Sequence, residues 1–186
     1  MTGNTGNIDS KESSVVATYP LHSDAENAIN LLKKADFNIK KLAIVGKGYH
    51  TEDQVVGYYT TGDRVKHWGK MGAFWGGIWG MLVGAAFFVI PGVGPVIVAG
   101  SLVAWIVGAL ESAVVVGGLS ALGAGLYSLG VPKDSALKYE TSIKAGKYLL
   151  IAHGTPEEVE SARSILANTG AEEIGVHRLD QPAVAA

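Results

Sequence analysis

Between Lys70 and Lys133 the chain carries a single charged residue, Glu111. Formal net charge over all 186 residues is only −2, so the emptiness of this window is a matter of distribution, not of total charge. An uncharged stretch of this length is unusual in a soluble core and usual in a membrane segment. It divides the chain into an apolar block and two charged flanks, and every reading below starts from that division. The near-neutral balance provides no basic field for nucleic acid. The lack of cysteine excludes disulfides, thiolate metal sites and thiol catalysis.

Within the block, Met71–Ile90 is long enough for one bilayer span at about 1.5 Å per residue. Gly72, Gly76, Gly80 and Gly84 recur at every fourth position, on one helical face. Small residues at that spacing let helix backbones approach closely, as in membrane helix packing. In water each such glycine costs about 1 kcal/mol against alanine. Trp68 falls at the expected interface, and Trp75 and Trp79 project away from the glycine face. Pro91, Gly92, Gly94 and Pro95 then mark a turn. A second span is expected from Val96, where Gly100, Ala104, Gly108 and Ser112 repeat the small-residue spacing. Read as one helix, 96–131 would measure about 54 Å, too long for a single span. Gly117-Gly118 supplies a break, and Leu119, Leu122, Leu126 and Leu129 form the stripe of an amphipathic helix lying at the membrane interface or against the hairpin.

The flanks repeat one pattern. Val15–Tyr19 is a strand candidate. Ser23 and Glu26 suggest a capping box, and Ala25, Ala28, Ile29, Leu32 and Ala35 a buried helical face. A strand follows near Ile39–Val45. On the far side come Tyr148–Ala152 as a strand, Thr155 and Glu158 as a second capping box with Pro156 at the first helical position, and an alternating strand over Glu173–Leu179. Two βαβ halves of this size predict a ferredoxin-like α+β sandwich, neither half burying a core alone. The expected layout is a disordered tail at 1–14, a discontinuous domain of 15–60 plus 133–180, a glycine-zipper hairpin with an interfacial helix at 66–131, and a loose tail at 181–186. Met1–Ser14 has no basic and apolar run of the signal-peptide kind.

The two halves must lie on one side of a membrane to pair, so the number of spans is even. Arg64, Lys66, His67 and Lys70 before the block and Lys133, Lys138 and Lys144 after it place both termini in the cytoplasm. Glu111, the lone acid, reads as a charge near the cytoplasmic interface, with an ion or proton site as the functional alternative.

Several of these residues carry a family resemblance. Gly72–Gly84, the turn at 91–95, Leu129-Gly130-Val131-Pro132 and the helix holding Tyr139-Glu140 resemble bacterial general stress proteins, of the 17M-like type and the low-temperature-induced proteins of cyanobacteria. The resemblance spans roughly Val15 to Leu179 and implies a heat, cold or osmotic stress context. It carries over no catalytic residues.

Chemistry is sparse. None of His22, His50, His67, His153 and His177 pairs with another at metal-ligand spacing. His22 and His153 follow corresponding strands of the two halves, which predicts a weak metal or anion site if those strands lie adjacent and parallel; two solvated loop histidines are the plainer reading. No phosphate loop or nucleophile elbow is present. The sequence therefore predicts no enzyme and no cofactor. The expected role is a membrane-associated, homo-oligomeric stress protein whose partner is the lipid bilayer. The alternatives are a small channel or transporter gated by the cytoplasmic α/β domain and a soluble oligomer sharing the block as its core.

Overall fold

A computed structural model of the chain describes residues 13–47, 85–111 and 118–178. Their order is β1 (Ser13–Tyr19), α1 (His22–Lys34), a 3-10 turn (Ile39–Lys41), β2 (Leu42–Lys47), β3 (Ala85–Ile90), β4 (Gly94–Gly100), α2 (Leu102–Glu111), α3 (Ala121–Ser128), α4 (Lys133–Lys144), β5 (Tyr148–Gly154), α5 (Pro156–Leu166) and β6 (Glu173–Arg178). The strands form one antiparallel sheet in the order β3-β4-β2-β5-β1-β6. The class is α+β, as the repeated flanks suggest.

The four flank strands run β6-β1-β5-β2, the strand order of a ferredoxin-like sandwich. Their helices α1 and α5 pack on one face, where Ala25, Ala28, Ile29 and Leu32 meet Val159, Ala162 and Leu166 over Val15, Ala17, Leu150 and Ile44. The capping box of α5 is formed: Thr155 Oγ1 accepts from Glu158 N at 3.3 Å, and Thr155 N donates to Glu158 Oε2 at 2.8 Å. The one expected at Ser23 is not. Leu21 caps α1 without a side-chain bond, so the helix begins one residue ahead of the serine.

The apolar block departs from expectation. The last residues of the supposed first span, 85–90, are a strand, and so are the first of the supposed second, 94–100. Their side chains explain it. Phe87, Phe88, Val89 and Ile90 face Ile97, Val96, Pro95 and Gly94 across the turn, and β-branched and aromatic residues favour the pleated surface. The turn sits where the prolines and glycines place it, with Gly92 at φ 81° and Gly94 at φ 100°, and Val93 N donates to Ile90 O at 3.1 Å. It joins two strands of a β-hairpin, not two helices. β4 then pairs with β2, extending the sheet.

After β4 the chain folds back over the sheet's second face. Leu102 and Ile106 of α2, Leu122 and Leu126 of α3, and Ala136, Tyr139 and Ile143 of α4 pack on Val16, Ala43, Val45, Leu149 and Ile151. Leu119, Leu122, Leu126 and Leu129 do form one buried stripe, packed in this layer together with Ile90, Val96 and Val98 of the hairpin, the second of the two placements expected. All seven residues of β1 are buried, because helices cover both of its faces. The block thus supplies the apolar partner for a sheet face that a two-layer sandwich would leave open. Among the described residues no helix is long and apolar enough to cross a membrane.

Among the described residues, Gly100, Ala104 and Gly108 do not share one helical packing face. Gly100 ends β4 at φ 90°, where a Cβ would collide with the Leu42 carbonyl oxygen. Ala104 and Gly108 lie on the exposed side of α2, while Leu102 and Ile106 face inward. Gly72, Gly76, Gly80, Gly84 and Ser112 lie outside the described residues. Glu111 is the last residue of α2, and its side chain lies outside them too.

Candidate functional site

Sheet topology decides which histidines meet. β1 and β5 are adjacent but antiparallel, so residues that follow them in sequence emerge at opposite ends. His22, just beyond β1, packs its ring edge-on to Tyr148 at the start of β5, with centroids 6.2 Å apart. His153 lies opposite Ser14, near the other end of β1. Five strand positions at about 3.4 Å each separate Tyr148 from His153, roughly 17 Å. The expected His22–His153 site is not assembled, because the parallel arrangement it required is absent.

His153 shares its end of the sheet with His177. Ser14 pairs with His153 on one side and with His177 on the other, so these three residues form a row on the face covered by α2, α3 and α4. Ser101 Oγ lies 3.4 Å from His153 Nδ1. Ser14 is fully buried, and its Oγ has no hydrogen-bond partner. Neither imidazole touches that hydroxyl, so the row lacks the base contact that a serine nucleophile requires. Among the described residues no group of three or more His, Cys, Asp or Glu side chains can hold a metal ion.

At the β6 end of the row, Tyr139 of α4 reaches across to His177. Its hydroxyl lies 2.9 Å from His177 Nε2, and the rings meet edge-on with centroids 5.8 Å apart. Burial pushes the Tyr139 hydroxyl up to about 12, with the Glu173 charge acting the same way. Burial pushes the His177 imidazole down, and Glu173 opposes that shift. Gly175 makes room for the contact, since a Cβ there would strike the Tyr139 hydroxyl.

The neighbouring Glu140 points the other way along the layer. It is a 5 % exposed carboxylate, and its Oε1 accepts from Ser120 Oγ at 2.5 Å and from Ser120 N at 3.3 Å. Ser120 in turn caps α3 by accepting from Gly123 N. An acid on the inward stripe of Ala136, Tyr139 and Ile143 is the sequence signal for this contact; the resemblance picked out Tyr139-Glu140 without giving the pair a role. Ser120→Ala removes both the cap and a donor to a buried carboxylate. It should lower unfolding free energy by about 1–3 kcal/mol in urea titrations.

Beside these polar pairs, the described residues also expose large apolar side chains. Phe87 and Val89 of β3 are 48 % and 69 % exposed, and Trp105 and Leu110 of α2 are 48 % and 45 % exposed. No charged residue occurs between 85 and 110. On the other sheet edge, β6 carries Glu173, His177 and Arg178.

A six-stranded antiparallel sheet held between two helical layers defines an α+β protein among the described residues. Residues 14–87, less than half of the chain, match the family model of the heat induced stress protein YflT domain, consistent with the resemblance to general stress proteins of the 17M-like type. The match takes in β1, α1 and β2 and reaches the start of β3. No curated protein and no solved structure matches the chain.

Proposed function

We propose that this chain is a stress-response protein with a structural or regulatory role exercised through association, and that it assembles with copies of itself through the uncharged surfaces of the β3–β4 hairpin and α2. The observation that carries the reading is the exposure of Phe87, Val89, Trp105 and Leu110 within a stretch lacking any charge. Phe87 and Val89 alternate with Phe88 and Ile90, which pack toward α2, so the β3 and α2 exposures flank the β3 edge from opposite faces of the sheet, and large apolar side chains left exposed beside one edge mark an interaction surface. A two-fold operator presents the same patch on both partners, so an uncharged surface meets its like without repulsion. Attachment to a lipid surface draws on basic residues beside the apolar ones. The 85–110 stretch supplies none, which favours a second copy over the bilayer.

Light scattering on the full chain in detergent-free buffer tests this. An oligomer is expected, and Trp105→Asp or Val89→Lys should weaken it at least about tenfold in dissociation constant, or about 1.4 kcal/mol. Thermal midpoints of the separated variants should stay close to that of the parent. A chain that remains monomeric at all concentrations overturns the proposal. If that monomer floats with phospholipid vesicles in a density gradient, the surface serves a bilayer instead.

A further inference from the structure

The sheet's charged edge is fastened differently from the rest of the molecule. On the face covered by α4, β6 presents Glu173, Gly175 and His177, so this strand offers that layer no large apolar side chain. Polar contacts hold it there. Lys138 pairs with Glu173, and Tyr139 Oη meets His177 Nε2 at 2.9 Å. Just outside the strand, Lys147 pairs with Glu172 at 2.5 Å, and Glu172 N donates to Thr18 O. β6 pairs with one strand, β1, whose own side chains are entirely apolar or hydroxyl-bearing and buried.

We infer that this seam is a proton-sensitive fastening, and that charging His177 loosens β6 from β1 and α4 while the centre of the sheet stays closed. Among the described residues, the groups on the imidazole's side of the sheet are Tyr139 and Lys138 from α4, Glu173 from its own strand, and the Ser14 hydroxyl of β1 with His153 of β5 beyond it; Arg178, next along the strand, turns to the opposite face. Tyr139 is buried and stays neutral well above physiological pH, so it offers the imidazolium no compensating charge. Glu173 is the one acid in the group, and it is already shared with Lys138.

The sign follows from the direction of the shift. Burial holds the folded-state value of His177 below the ordinary 6.5. Its contribution is therefore present above pH 6.5 and is lost as pH falls through the folded value, because the released strand binds the proton more readily. Loss of β6 uncovers one long side of β1, an apolar central strand able to pair with other chains.

Hydrogen exchange on the full chain tests the fastening. After correction for intrinsic rates, amide protection over Glu173–Arg178 should fall about threefold or more between pH 7.5 and 5.5, while β2 and β5 keep theirs. His177→Gln, which does not titrate and still offers Tyr139 a hydrogen-bond partner, should abolish the pH dependence. Lys138→Gln should lower protection at both pH values and leave the dependence in place. PH-independent protection of β6 in the parent overturns the inference, and so does a dependence that survives His177→Gln. If His177→Gln does not fold, the His177 imidazole is followed by NMR in the parent; its titration midpoint and that of β6 protection must coincide, and separate midpoints overturn the inference.

Discussion

Leu126→Ala should lower the unfolding free energy of the whole protein by about 2–5 kcal/mol. Leu126 is fully buried in the layer that covers the second sheet face, among Leu122, Ile106 and the β-strand residues Val16 and Ile151. Truncation leaves a cavity bounded by α2, α3 and α4, which close packing cannot fully collapse. The measurement is a urea titration followed by circular dichroism and by tryptophan fluorescence. Both probes should shift together to lower urea with unchanged slope, as expected when the apolar block and the flanks are one cooperative unit. A helix resting on a bilayer would behave otherwise: losing a leucine from its stripe would change membrane affinity and leave the sheet's stability nearly untouched.

Gly100→Ala should cost about 3 kcal/mol or more, by a different route. The backbone there has φ 90°, a region side chains rarely adopt, and a Cβ would run into the Leu42 carbonyl oxygen. That carbonyl also accepts from Ser101 N at 3.1 Å, so the collision falls on the bond that turns β4 into α2. Backbone on both sides leaves little room for relief. Differential scanning calorimetry should show a lower midpoint for Gly100→Ala and near-parent behaviour for Gly108→Ala, whose position lies on the exposed side of α2 with ordinary helical backbone.

The contrast between those two glycines shows where the sequence could be read and where it could not. Spacing treats Gly100 and Gly108 as members of one helical face. The structure puts one at a strand's end and the other on a helix. Glycine is equally at home in a packed helix and in a left-handed turn, so its recurrence cannot distinguish them. The flanks were more legible because their signals are more specific. Thr155 with Glu158 forms its capping box, Ser23 with Glu26 marks a helix start that Leu21 caps instead, and the repeated βαβ order specifies an interleaved sheet. One signal within the flanks also pointed to the block's role. Val15-Val16-Ala17, Leu149-Leu150-Ile151-Ala152 and Leu42-Ala43-Ile44-Val45 are continuous apolar runs, not alternating ones. Strands of that kind are covered on both faces. Two flank helices cover only one, so the missing layer had to come from elsewhere in the chain. The seam between Tyr139 and His177 was less accessible, since it depends on the register that sets Ser14 opposite both His153 and His177.

The same register has a consequence for synthesis. β1 is made first, yet its neighbours are β5 and β6, with Ser13 opposite Gly154 and Arg178. At about 5–20 residues per second, the ribosome needs roughly ten to thirty seconds to deliver those partners. Throughout that interval Val15, Val16 and Ala17 lack the neighbours that bury them in the finished sheet. Pairings so distant along the chain also slow folding after release. A protein assembled around its first strand is therefore most exposed to heat, and most in need of chaperone cover, while it is still being made.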